Sequence, residues 1–185
     1  MELTEVADQR VPVLGRLTTV YHPLEDRVRI SGQVSSDDVV VIWVTRRLMD
    51  RMVPALVEWL EQQDADVPRA DLLQSVKQTR AINQLTEQTR QEGSTPVSAE
   101  NAGTTWLAAS VDVQRRPEQL VLIFKAAPDA GGRQAALPLR ALALRQWLNI
   151  LLQAYSKAEW STAVWPEWMR EQLPELALPA RGAIH

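Results

Sequence analysis

The chain has 185 residues, 45% of them hydrophobic and 23% charged, with a formal net charge of −3. That length supports one sizeable core or two small packed lobes, and the composition is that of a globular protein. The absence of cysteine excludes disulfides, thiolate metal sites and cysteine nucleophiles, and the acidic balance argues against a surface built as a whole for polyanions.

Met1-Glu2-Leu3-Thr4-Glu5 has neither the basic nor the apolar character of a secretory leader. No run approaches the roughly 18 apolar residues of a spanning helix. A cytoplasmic protein with no membrane contact is expected. Residues 1–14, with Pro12, show little periodicity and are expected to form an extra edge strand or an arm.

Arg16–Tyr21 alternates in the manner of a strand, and His22-Pro23-Leu24-Glu25-Asp26 has turn chemistry. Arg27–Ser31 alternates polar with apolar, so one face is expected to be wet. Val39–Val44 is continuously apolar, which predicts a strand covered on both sides. Thr45 is the expected N-cap of a helix whose Leu48, Met52, Leu56, Trp59 and Leu60 form an apolar stripe. Pro54 predicts a kink, or two short helices meeting near Val53.

Residues 64–92 read as a peripheral helix starting near Asp66 and Pro68. Its apolar stripe, Leu72, Leu73, Val76, Ile82 and Leu85, is thin in a Gln/Thr/Arg background. Gly93–Gly103 has linker composition. In the next strand Leu107, Ala109, Val111 and Val113 share a face by strict alternation, and Trp106 points away from it. Arg115–Glu118 is a turn and Leu120–Phe124 a strand. Gly131-Gly132 marks a hairpin, and Gln134–Leu139 is a strand carrying Pro138 near its end. A second long helix from Arg140 aligns Leu144, Trp147, Leu148, Leu151, Leu152 and Tyr155.

The pattern of three strands and a helix therefore occurs twice, over Gly15–Gln63 and Thr104–Lys157, with Arg51 and Arg145 at comparable depths in the two helices. This predicts an α+β fold of two meander-plus-helix (βββα) halves, with antiparallel sheets covered by helices and a peripheral middle helix. The expected divisions are 1–63, 64–103, 104–159 and a Trp-rich tail over 160–185, the halves sharing one domain. The tail is expected to carry a short helix from Pro166 and to fray beyond Pro174.

No motif names a chemistry. Of the two histidines, His185 is the last residue and His22 sits in a turn. Neither G-x-S-x-G, GxxxxGK[ST] nor GxGxxG occurs. The carboxylate groups Asp37/Asp38, Asp64/Asp66/Asp71 and Glu25/Asp26 fall where turns and helix starts favour acids. No enzyme, cofactor or metal is expected. The leading expectation is a protein-binding or assembly protein, with another protein or a second copy as partner. Its contact would be an exposed aromatic patch of Trp106, Trp160, Trp165, Trp168 and Met169; packing of the tail against the core competes with it. The alternative is a single-stranded nucleic-acid binder using Arg27, Arg29, Arg46, Arg47 and Arg51 with exposed aromatics. Trp43, Trp59 and Trp147 are expected in the core.

Overall fold

The computed structural model describes residues 11–93, 95–100 and 102–173. The expected fraying beyond Pro174, and His185, lie outside the described residues. In chain order the elements are β1 (Arg16–His22), β2 (Arg27–Gln33), β3 (Val39–Thr45), α1 (Arg46–Gln62), α2 (Ala70–Glu92), β4 (Ala102–Arg115), β5 (Gln119–Ala126), a short 3-10 turn (Pro128–Ala130), β6 (Gln134–Arg140), α3 (Ala141–Lys157) and α4 (Glu167–Arg170). The fold is α+β, and the strands form one six-stranded sheet in the order β1-β2-β3-β4-β5-β6. The sheet is not wholly antiparallel. β3 and β4 run parallel, with Trp43 beside Leu107. A helical crossover between two meanders permits that parallel junction, which a tight hairpin does not.

β4 changes partner along its length. Up to Leu107 it pairs with β3, and from Ala108 to Arg115 it pairs with β5. The register shifts between Ala108 and Ser110, and one extra residue turns the pleat over. Trp106 and Ala108 face the core before the bulge; Val111 and Val113 pack on it afterwards. The expected outward Trp106 is therefore corrected: it is 6% exposed, whereas Leu107 is 42% exposed.

Ahead of β1, the chain pairs with β6. The Leu14 N–H donates to the Ala136 carbonyl and the Ala136 N–H to that of Pro12, each at 2.8 Å. This short parallel contact joins the two outer strands, so the sheet closes on itself. The chain then crosses to β2, where the Gly15 N–H donates to the Gln33 carbonyl at 2.9 Å. The next bond to β6 would require an N–H at position 138, and Pro138 has none. Leu14, 2% exposed, lies directly over Gly32.

The two halves are wired alike. β4 meets β3 in parallel and then pairs with β5; residues 12–22 meet β6 in parallel and then pair with β2. α1 leaves β3 and packs on β4, and α3 leaves β6 and packs on β1.

The apolar side of the sheet and the two long helices form one core. Thr45 caps α1, its hydroxyl accepting from the Leu48 N–H at 3.3 Å. α1 runs unbroken through Pro54, which sits exposed on its polar side. The predicted stripe of α3 is buried throughout. Depth in the helix does not equate Arg51 with Arg145: the first is exposed and the second is 4% exposed.

α2 departs from its predicted face. Its buried residues are Gln74, Gln78 and Ala81, whereas Leu72 and Val76 are 56% and 58% exposed. Amides can face a neighbouring helix when they find partners there. Gln78 donates to the Arg145 carbonyl at 3.0 Å, and Gln146 of α3 donates to the Ala81 carbonyl at 3.3 Å.

The Trp-rich tail folds back onto the core. Trp160, Trp165, Trp168 and Met169 are 6%, 1%, 8% and 1% exposed. With Trp106 they form no surface patch, which corrects that expectation. Trp160 meets Tyr21 and Tyr155 edge-on at 5.5 and 5.1 Å, and Trp165 meets Tyr155 at 5.3 Å. Their apolar area draws these rings inward, and two indole N–H groups are satisfied on arrival. Trp160 donates to Asp26 at 2.9 Å and Trp168 to Glu61 at 3.0 Å. Tyr155 in turn donates to Asp50 at 2.8 Å; burial first, then that bond, raises its pKa. No helix among the described residues is long and apolar enough to cross a membrane.

Candidate nucleic-acid interface

The closed sheet has an outer face that the long helices do not cover. Strand register places Val20, Arg29, Trp43 and Leu107 abreast on it, one from each of β1 to β4. With strands about 4.8 Å apart, the row is roughly 14 Å wide. One register on, His22 stands beside Arg27, and Arg27 beside Thr45.

Trp43, expected in the core, is only partly buried and sits in this row. β3 is apolar on both sides, but Val40, Ile42 and Val44 face inward and Trp43 faces out. Continuous hydrophobicity concealed which residue was the surface one. The His22 ring meets Trp43 edge-on at 5.5 Å, and the Arg29 guanidinium carbon lies 6.0 Å from its centroid. Cation and imidazole thus both stand against the indole.

The segment after α2 covers the other half of this face. Arg16 donates to the Thr95 carbonyl at 2.8 Å, and the Val97 N–H donates to the Thr18 hydroxyl at 2.8 Å. Ser31 and Val41, in register with Thr18, are 2% and 3% exposed. The Trp43 row lies beside this strap, with Val20 and Leu107 each 42% exposed.

Within β1–β3 the charge is one-sided. β1, β2 and β3 contain Arg16, His22, Arg27 and Arg29 and no carboxylate. α1 then begins with Arg46 and Arg47 and has no acid in its first turn. Cations at a helix N-terminus oppose the macrodipole, at about 0.3–1 kcal/mol each. The sequence accepts that penalty and gathers positive potential next to Trp43. Glu25 stands 3.8 Å from Arg27 and Asp50 3.4 Å from Arg46. Arg29, Arg47 and Arg51 form no ion pair among the described residues.

Of the five arginines singled out in the sequence, Arg27 and Arg29 share the outer face, Arg46 and Arg47 follow at the end of β3, and Arg51 is exposed further along α1. Sequence reasoning missed Trp43, His22, Val20 and Leu107 as their neighbours. A turn-flanking histidine two residues beyond Val20 was the one available hint. Among the described residues, no group of three or more histidine, aspartate or glutamate side chains is gathered to hold a metal ion. No family model matches the chain, and no curated protein or solved structure is significantly similar to it.

Proposed function

We propose that this protein is a non-catalytic binding protein that holds a short stretch of single-stranded nucleic acid on the outer face of β1–β4. The observation that carries the proposal is the Val20–Arg29–Trp43–Leu107 row, with Arg27, Arg46 and Arg47 beside it and no carboxylate in the first three strands. An aromatic ring with neighbouring cations accepts a stacked base and its flanking phosphates without reading sequence. The tail tryptophans that an adaptor would present to a protein partner are buried, which favours nucleic acid over such a partner. A cytoplasmic location suits such a ligand. The matching connections of the two halves support descent from one duplicated βββα unit.

Fluorescence anisotropy with a labelled oligothymidine at low salt tests it. Binding is expected to weaken with added salt, with a logarithmic slope of about −2 for three phosphate contacts. Trp43→Ala is expected to weaken it roughly 10- to 100-fold, the worth of about one stacked base. Arg47→Ala should lower the slope without disturbing the fold, since Arg47 is exposed. No binding at low ionic strength, or binding indifferent to both variants, sinks the proposal.

A protein partner is the second reading, favoured by Leu72 and Val76, exposed one turn apart on α2. If a second copy docks there, analytical ultracentrifugation will show a dimer that Leu72→Glu with Val76→Glu converts to monomer. A wild-type protein monomeric at about 100 μM (a ligand concentration covering affinities to −5.5 kcal/mol) removes that version.

A further inference from the structure

The helical side of the molecule holds a buried cation that forms no ion pair among the described residues. Arg145 is 4% exposed. Its Nη2 donates to the side-chain oxygen of Gln74, its guanidinium carbon lies 5.4 Å from the Trp168 ring centroid, and its Nη1 has no partner among the described residues. Burial lowers its pKa from the usual guanidinium value, and the charge of Asp64 works in the opposite direction. Asp64 is nevertheless occupied elsewhere. Its carboxylate accepts from Lys77 at 2.6 Å and from Gln74 at 3.1 Å. A buried guanidinium bonded only to a neutral amide is poorly compensated, because the lost hydration is not matched by an anion.

Arg145 also lines an open cleft of about 310 Å³, together with Leu60, Asp64, Lys77, Arg80 and Leu142. The start of α3 contributes to the same cleft through Ala141 and Leu142. This 17-residue helix has no side-chain cap at its N-terminus. Its first N–H groups, which no helix satisfies internally, therefore have no capping side chain to accept from them, and the positive end of its dipole stands at the cleft. Three cations and that helix end face one carboxylate, which is already paired.

We propose that this cleft binds a small organic oxyanion. The anionic group supplies the missing counter-ion for Arg145, with Lys77, Arg80 and the start of α3 around it. The apolar body of the ligand lies against Leu142, which is exposed. The volume is at the small end of ligand pockets, which span about 300–1,000 Å³, so the ligand is a metabolite-sized acid rather than a nucleotide polymer. A carboxylate and a phosphate monoester share this chemistry, and both are tested.

The experiment is isothermal titration calorimetry of the full chain with benzoate and with phenyl phosphate, using chloride at matched ionic strength as the control. At least one probe is expected to bind with a Kd below about 1 mM and to raise the Tm; the tighter of the two identifies the anionic group. Arg145→Met removes the charge and keeps the bulk. Leu142→Trp fills the cleft from a position that is 44% exposed, so it decides the matter if the first variant fails to fold. Each folded variant is expected to weaken the probe at least tenfold. No heat or Tm change beyond the chloride control, or probe binding that survives either folded variant, overturns the proposal. The outer-face arginines and Trp43 lie on other elements, so loss of oxyanion binding and loss of oligothymidine binding are separately readable.

Discussion

Trp165→Ala is expected to lower the unfolding free energy by about 3–5 kcal/mol, the usual cost of removing a fully buried tryptophan. A domain of this size is stable by only about 5–15 kcal/mol, so the variant will sit close to unfolding at physiological temperature. Trp165 is 1% exposed and stands edge-on to Tyr155, which also carries Trp160. Its loss therefore loosens the seat of the whole tail. Trp165→Phe is expected to cost less than half as much. It keeps an aromatic edge against Tyr155, and it removes an indole N–H that has no acceptor among the described residues. Urea unfolding followed by far-ultraviolet circular dichroism measures both without relying on indole emission. A Trp165→Ala variant within about 1 kcal/mol of the wild type, outside the range for a core aromatic, would mean that the tail is not part of the core.

Gly32→Val is the second large effect, with an expected loss of about 2–3 kcal/mol from overpacking. A Cβ at position 32 would stand 2.6 Å from Cδ2 and 2.9 Å from Cδ1 of Leu14. Leu14 is 2% exposed and cannot swing aside without leaving the core. Displacing it pulls on the two hydrogen bonds that join Pro12–Leu14 to β6. Hydrogen exchange should therefore report faster opening at the amides of Leu14 and Ala136 than in the wild type. Leu14→Ala makes room, so the double variant should be more stable than the sum of the single losses implies, with a coupling of about 1 kcal/mol or more. Strict additivity would show that the two residues do not meet.

Strand and helix positions were legible because period and turn chemistry are local. Thr45 as cap, Gly131-Gly132 as turn and the α3 stripe from Leu144 to Tyr155 all follow from a few neighbouring residues. The errors share a different cause. Strict alternation turns Trp106 outward, but the bulge at Ala109 arises where β4 exchanges β3 for β5, a long-range event. On α2, apolar Leu72 and Val76 mark the wrong face because the helix meets α3 through side-chain amides, Gln78 donating to the Arg145 carbonyl and Gln146 of α3 to the Ala81 carbonyl. Trp43 was hidden in a run of apolar residues whose two sides become distinct only when α1 and α3 cover one of them. The candidate interface was half visible for the same reason. Its arginines were conspicuous, but their assembly around Trp43 depends on the register of four strands.

The clasp of Pro12–Leu14 on β6 also bears on how copies of this chain treat one another. Naked strand rims are templates for intermolecular pairing and fibre growth. Here β6 is occupied at Ala136 and interrupted at Pro138, and α3 takes over alongside β1, where Trp147 donates to the Thr19 hydroxyl at 3.0 Å. A neighbouring molecule is thus denied any long template on these two strands, and ordered stacking of the folded protein through them would first require this short N-terminal clasp to peel away.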